Sequence, residues 1–314
     1  MHLGAPANKH SKCIEIIGEY LVQIYMGECH GEARDPYRFV NELDDAAVES
    51  LINRLESRAK DKVFTRLFDK YAARLNLQHA SQILVVGCGT GVIVRFLAHR
   101  SDFSGTVVGV DQSPVFIEAA RRFAHEENID DRVEFRIGDA HGLDFPEGAF
   151  DAAIAHTVIS HVTEPAAILR EMARVVRPGG TVAVFDGDYA SLTFACPDPA
   201  FGRQMDAALA TATFNNPLVM RDMPRLLAQA GLGGISAMAD VVAEIGKWSY
   251  FKSFAETNAP LVATGGLLPA EAVADWLTAQ RQSVDHGTFF ASCNYYTYLA
   301  RRPAQKKRRS SCVK

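Results

Sequence analysis

Three glycines at alternate positions, Gly87, Gly89 and Gly91, follow a run of four apolar residues, Ile83 to Val86, and precede a helical pattern that starts at Val92. Glycine lets a backbone turn tightly and lie against a ligand that a side chain would hold away. The helix after the loop aims N–H groups without intrahelical partners into the same space. A second apolar run, Val107 to Val110, ends in Asp111, where a carboxylate can accept hydrogen bonds from both ribose hydroxyls of an adenosine. The spacing is G-x-G-x-G, not the G-x-G-x-x-G of a dinucleotide site, because position 92 is valine. A nicotinamide cofactor is therefore disfavoured.

Other residues with chemistry sit further on. His156 follows a fourth apolar run and reads as a base, a hydrogen-bond donor or a buried structural histidine; His161 reads as structural. Asp186-Gly187-Asp188-Tyr189 follows a fifth run, at the carboxyl edge where α/β sheets bind ligands. Its acids could hold a cationic acceptor, or could face water in a loop. No partner ligands stand at usable spacing, so no metal site is expected. Arg58 and Arg66 lie on helical segments just before the first strand.

The elements that must position these residues are set by periodicity. Helices are expected over Asp44–Arg58 and Val63–Leu75, then strands and helices alternate from Ile83 to Asp186, the pattern of a doubly wound parallel sheet. The helices in that stretch are Val92–His99, Pro114–Glu127 and Pro165–Val176. From Asp188 to Pro217 an irregular stretch surrounds a helix near Phe201–Ala212. A helix at Arg221–Ala230, a strand at Ile235–Ile245, helices near Tyr250–Asn258 and Pro269–Val284, and a last strand at Thr288–Ala300 complete the order.

The chain has 314 residues, 48% hydrophobic and 22% charged, in the range of a globular enzyme. Seven basic residues and no acidic one lie from Arg301 onward, so the preceding 300 residues carry 26 basic against 37 acidic. An acidic body argues against a nucleic-acid surface. The basic end reads as a solvated tail. The six cysteines include no C-x-x-C pair, which points to neither zinc nor a disulfide framework. No apolar run reaches the roughly 18 residues of a membrane span, and a cytoplasmic location is the default expectation.

The glycine loop and the motifs downstream of it resemble the class I S-adenosylmethionine-dependent methyltransferases. Gly138-Asp139-Ala140 fits the acidic and small pair after the third strand, Asp151 the aspartate at the start of the fourth, and Arg177-Pro178-Gly179-Gly180 the turn before the fifth. The matches run from about position 81 to 186 in family order. They are most similar to the ubiquinone and menaquinone methyltransferases and the natural-product enzymes. The resemblance implies a Rossmann-like, seven-stranded sheet with an antiparallel last strand. It also implies S-adenosylmethionine as cofactor, held by Gly87, Cys88, Gly89, Gly91, Asp111, Gln112, Asp139 and Ala140. It places His156 beside the methyl group and the acceptor; Asp188, with Tyr189 beside it, is expected on the acceptor side from its place at the carboxyl edge.

One departure is Val85, where the family carries an acid two residues before the first glycine. The methionine end of the cofactor must then be held otherwise, and Arg58 is the first choice. The Asn-Pro-Pro-Tyr element of adenine- and glutamine-methylating enzymes is absent after the fourth strand. The acceptor implied is a small, largely apolar metabolite. A macromolecular methyltransferase engaged through the basic tail and a non-catalytic cofactor-binding protein are the alternatives.

A helical pattern over Ile14–Met26 leaves only Glu15, Glu19 and Gln23 polar, too narrow a stripe for a helix standing alone in water. It is expected to cover the pocket, with Tyr20 or Tyr25 directed at cofactor or acceptor, or to join two subunits. The organisation expected is a helical cap at 1–80, a core at 81–302 with an insertion at about 190–216, and a disordered tail at 303–314.

Overall fold

The computed structural model describes residues 35, 37 and 39–304. The first half of the chain runs α1 (Asp45–Ala59), α2 (Lys62–Ala72), β1 (Gln82–Val86), α3 (Val92–Ala98), β2 (Thr106–Asp111), α4 (Pro114–Glu126), β3 (Val133–Ile137) and β4 (Phe150–His156). It continues with α5 (Pro165–Val175), β5 (Val176–Phe194), α6 (Pro199–Thr213), α7 (Val219–Gln229), β6 (Gly233–Ile245), α8 (Tyr250–Thr264), α9 (Ala270–Asp285) and β7 (Phe290–Arg301). The strands form one seven-stranded sheet in the order β3-β2-β1-β4-β5-β7-β6.

The pairs β1–β2, β1–β4, β2–β3 and β4–β5 are parallel. Gly179 N donates to Arg302 O and Arg302 N to Gly180 O, so the start of β5 meets the end of β7 and the last strand is antiparallel. The order turns back on itself between β1 and β4, which is the switch point at which open α/β sheets bind ligands.

Two compact units divide the chain. The sheet unit comprises Leu55–Asp188, Leu218–Asp240 and the chain from Asn294. Alternate residues of its strands point to opposite faces. Leu84 and Val86, Val108 and Val110, and Val182 and Val184 meet Leu169 and Met172 of α5 and Met220 and Leu227 of α7. On the other face, Phe68 of α2 packs edge-on to Phe96 of α3 with ring centroids 4.4 Å apart, and Tyr71 stacks on Phe185 of β5 at 5.8 Å. Cover on both faces explains why β1 and β4 read as unbroken apolar runs. Asp151, at the start of β4, accepts from Ser81 N and Gln82 N at 2.7 and 3.0 Å and from Arg177 Nε at 2.5 Å, tying three strand starts together.

The second unit holds the described residues up to Arg54, with Tyr189–Pro217 and Val241–Cys293. Its core is aromatic: Phe194 meets Phe251, Trp276 and Phe289 edge-on at 5.7, 5.1 and 6.3 Å. Asp198 caps α6 by accepting from Ala200 N and Phe201 N, with Pro199 in the first turn.

The division differs from the expected one in two respects. The boundary falls inside α1, not at position 80, because Leu55 onward belongs with the sheet. Residues 190–216 are not a core insertion but group with α8 and α9. β5 also runs to Phe194, straight through Asp186–Tyr189, where the sequence pattern points to a loop. The helix at Ile14–Met26, with Tyr20 and Tyr25, and the tail beyond Ala304 lie outside the described residues.

Asp206 of α6 accepts from Phe194 N at 3.0 Å, joining that helix to the end of β5. Burial pushes its carboxyl up from 3.8 to about 7, against the N–H that favours the ionised form. A carboxyl raised on folding takes up a proton between the two values, so its contribution is complete below the lower one and is lost as pH rises through the upper. Asp206→Asn keeps an oxygen for Phe194 N and cannot ionise. The stability of the variant relative to the parent should increase as pH rises from about 5 to about 8. Denaturant titrations across that range check it, and a constant difference refutes it.

Candidate functional site

β1 is buried from Ile83 to Val86 and delivers the chain to the carboxyl edge of the sheet. There Gly87, Gly89 and Gly91 all take left-handed φ values, +61°, +52° and +80°, which side chains resist. A Cβ on Gly87 would lie 2.6 Å from Val158 and one on Gly91 2.7 Å from Phe135, whereas one on Gly89 meets nothing nearer than Leu55 at 3.4 Å. The first and third glycines admit close packing, and the second presents bare backbone. Gly109 of β2 belongs to the same arrangement, since its Cβ would strike Cys88 Sγ and Phe135 at 2.9 Å.

Asp111 fixes this loop. Its Oδ2 accepts from Gly89 N at 2.8 Å and its Oδ1 from Ser113 N at 3.0 Å. Each carboxylate oxygen keeps a second acceptor direction. Burial pushes the Asp111 carboxyl above its ordinary range, partly offset by the N–H groups of Ser113, Gly89 and Gln112. Asp111 is not the cap of α4: Ser113 does that, accepting from Phe116 N. Cys88 N donates to Val110 O at 3.0 Å, and burial, then the charge of Asp111, keep its thiol protonated. Cys88 is thus a small packing group. Gln112, next in the chain, is exposed.

Gly138 N donates to Asp111 O at 2.9 Å, bringing Asp139 and Ala140 to the same edge. The exposed Asp139 carboxylate accepts from His141 N and faces His141 Nδ1 at 2.9 and 2.7 Å; the backbone N–H foremost holds it below its usual range.

Val85 leaves the loop without the acid of that position, and α1 provides one. Glu56 accepts from Thr90 Oγ1 at 2.6 Å through Oε1 and from Arg95 at 2.7 Å through Oε2. Arg95, 6% exposed, also donates to Thr90 O at 2.6 Å and to Glu127 at 2.9 Å. A helix before the sheet is thereby bonded to the glycine loop by a buried guanidinium.

His156 ends β4 opposite Phe185 of β5. Its ring stacks on Phe185 at 4.5 Å, and its Nδ1 lies 2.8 Å from the buried Tyr71 hydroxyl. Phe64 and Tyr295 continue the aromatic wall, Tyr295 stacking on Phe185 at 5.5 Å. Arg58 of α1 lies over the Phe64 ring at 4.4 Å, while the exposed Arg66 does not join it. Burial, and then the charge of Arg58, hold His156 well below the usual histidine range, so it is neutral. The next residue, Thr157, has φ +54°, an outlier for a β-branched residue.

The structure does not bring Asp188 to His156. Phe185 faces α2, whereas Asp186 and Asp188, on the even register of β5, face the other side. The Asp186 carboxylate is wholly buried and accepts from Ser160 N and Gly187 N at 3.0 and 2.9 Å. Asp188, 3% exposed, takes Arg221 Nε on both oxygens at 3.0 Å. Neither acid faces water. Tyr189 is buried and stacks on Phe214. Among the described residues no group of three His, Cys, Asp or Glu could hold a metal ion.

The profile of the methyltransferase domain family matches residues 84–184, the stretch that carries this loop, Asp111 and His156. That stretch is a methyltransferase domain of the class I S-adenosylmethionine-dependent type. An uncharacterised 37.1 kDa protein of a Streptomyces fradiae transposon is 29% identical over 86% of this methyltransferase and 76% of its own length. The 27-O-demethylrifamycin SV methyltransferase of Amycolatopsis mediterranei is 34% identical over 48% of this chain, which spans about half (53%) of its length. A Bacillus halodurans protein solved as a candidate methyltransferase aligns with a TM-score of 0.55 at 18% identity, covering 76% of this chain and 99% of its own. At that identity the likeness is one of fold.

Glu56, Thr90, Arg95, Tyr71 and Thr157 escaped sequence reasoning. Arg95 alone carried a signal, a charge in the otherwise apolar α3, Val92–Ala98. Removing Glu56 would leave that guanidinium buried beside Thr90. Glu56→Ala of this methyltransferase should lose about 3 kcal/mol of stability, whereas Glu127→Ala, at the more exposed end, should lose under about 1 kcal/mol. Denaturant unfolding of the two variants measures the difference, and equal losses would show that Arg95 is not anchored through Glu56.

Proposed function

We propose that this protein transfers the methyl group of S-adenosylmethionine to a small, largely apolar metabolite by in-line displacement. The observation that carries the reading is the clamp of Asp111 on Gly89 at the switch point, beside an aromatic wall that ends in His156. The residues fit the cofactor: the bare backbone at Gly89 can lie against its chain, Asp111 keeps acceptor directions for ribose hydroxyls, and Asp139 and Ala140, brought to the same edge, are the residues proposed for the adenine. Arg58 is the group proposed for the cofactor's carboxylate.

When bound, the cofactor contributes an electrophilic methyl group on a sulfonium. The protein's work is to hold the nucleophile within about 3–3.5 Å of that carbon and keep water away. Phe64, Phe68, Tyr71, Phe185 and Tyr295 form a buried aromatic cluster around His156, an apolar setting that supports an apolar acceptor. The Amycolatopsis enzyme acts, by its name, on 27-O-demethylrifamycin SV, which supports a small-molecule acceptor. No described helix is long and apolar enough to cross a membrane. The net acidity of the first 300 residues, 26 basic against 37 acidic, argues against nucleic acid as acceptor.

Two measurements test the reading. The protein should bind S-adenosylhomocysteine in titration calorimetry, and Asp111→Ala should weaken binding by about 10- to 100-fold through lost charge-assisted hydrogen bonds. Label from S-adenosylmethionine should enter the small-molecule fraction of a source-cell extract. Label appearing only in protein or RNA would refute the acceptor class, and unchanged affinity in the variant would refute the site.

A further inference from the structure

Tyr71 has no part in the motifs of the family resemblance, yet its hydroxyl is the hydrogen-bond partner of His156. The 2.8 Å between Tyr71 Oη and His156 Nδ1 holds a single proton, and its placement decides what His156 can do. If the proton belonged to Nδ1, the tyrosine hydrogen would need another acceptor. Tyr71 is fully buried, and the described residues offer its hydroxyl no second partner. A buried hydroxyl hydrogen without an acceptor is disfavoured strongly enough to bias the pair by about tenfold or more. The tyrosine therefore donates, Nδ1 accepts, and the ring hydrogen resides on Nε2.

The rest of the setting fixes the ring in that pose. It is stacked at 28° on Phe185, and Thr157 N donates to Phe185 O at 2.7 Å immediately after it. The left-handed Thr157 turns the chain so that Val158 packs on Gly87. Strain at such a residue persists where surrounding structure over-determines it, as at ligand sites. Among the described residues, the groups that face the ring are Tyr71 and Phe68 of α2, Phe185 of β5 and the charge of Arg58 on α1. No carboxylate is among them to take up a proton from Nδ1 or to stabilise an imidazolium.

We propose that Tyr71 is a positioning residue that locks His156 as its Nε2–H tautomer, so that His156 meets the methyl acceptor as a hydrogen-bond donor and not as the base that removes its proton. This rests on the methyl-transfer reading for the acceptor, but not for the tautomer. The acceptor it selects needs no protein base: an acidic oxygen, such as an enol or phenol, that enters already ionised. An N–H donor and the nearby Arg58 cation both favour that form.

The test uses the full chain labelled with 15N-histidine and saturated with S-adenosylhomocysteine. The ring nitrogens of His156 should show a protonated Nε2 and a bare Nδ1 from about pH 6 to about pH 8.5. Tyr71→Phe should bring the two tautomers within about threefold of each other. A protonated Nδ1 in the parent, or an unchanged ratio in the variant, overturns the proposal. A second pair of variants covers failure of Tyr71→Phe to fold. His156→Gln places an amide N–H where Nε2–H stood, and His156→Asn places it near Nδ1. Label transfer into a source-cell extract should be about tenfold higher for Gln than for Asn, and equal or reversed rates count against the donor role. Absence of S-adenosylhomocysteine binding in the parent would sink the methyl-transfer reading while leaving the tautomer result standing.

Discussion

One carboxylate sets the geometry on which the site depends. The two oxygens of Asp111 take one N–H from the glycine loop and one from the turn into α4. The first bond fastens the end of β1 to the end of β2; the second fixes the start of the next helix. The backbone carbonyl of the same residue takes Gly138 N, which adds the end of β3. Three parallel strands are thereby levelled at one edge by a single residue. Gly109 allows it, because any side chain at that position in β2 would push Cys88 and Phe135 aside. Such a junction needs the left-handed glycines: the loop must fold back far enough for Gly89 N to face a carboxylate on the neighbouring strand.

The loop is also held from outside the sheet. In place of an acid at position 85, Glu56 reaches in from α1 and is fixed by Thr90 and Arg95. Moving the acid from a strand to a helix changes its physics. A carboxylate on β1 would be rigid, whereas one on α1 is coupled to wherever that helix lies. The buried Arg95 is satisfied by Glu56, Glu127 and Thr90 O together, and this sharing makes its burial tolerable. Displacing α1 would strip the guanidinium of a partner at the glycine loop itself. The position of α1 and the shape of the loop are therefore one structural variable.

How legible each element is in the sequence depends on how local its signal is. β1, β2 and α3 to α5 are legible to within a residue or two, because apolar runs, glycines and Ser113-Pro114 are contiguous. The seven strands and the antiparallel last strand came with the family resemblance and stand in the structure. The length of β5 is not legible. Asp186 and Asp188 read as loop acids, and their partners, Ser160 and Arg221, lie 26 and 33 residues away. Tyr71 is invisible for the same reason: 85 positions separate it from His156, and an aromatic on the inner face of a helix is what any core would show.

The same register that buries those acids separates the chemistry of the two sheet faces. Along β5 the even positions 182 to 188 turn toward α5 and α7, where Asp188 meets Arg221, and the odd positions 183 and 185 turn toward α2. A change of one residue in register would exchange them. With the register observed, the face that carries His156 holds aromatic rings and a neutral imidazole, with Arg58 as its nearby cation. The carboxylates of β5 are confined to the other face and are already matched with donors. A surface so arranged is poor at drawing a proton from a bound molecule and good at excluding water from it. Under the proposed methyl transfer, whose electrophile carries positive charge, exclusion of water and close positioning are what such a face would contribute.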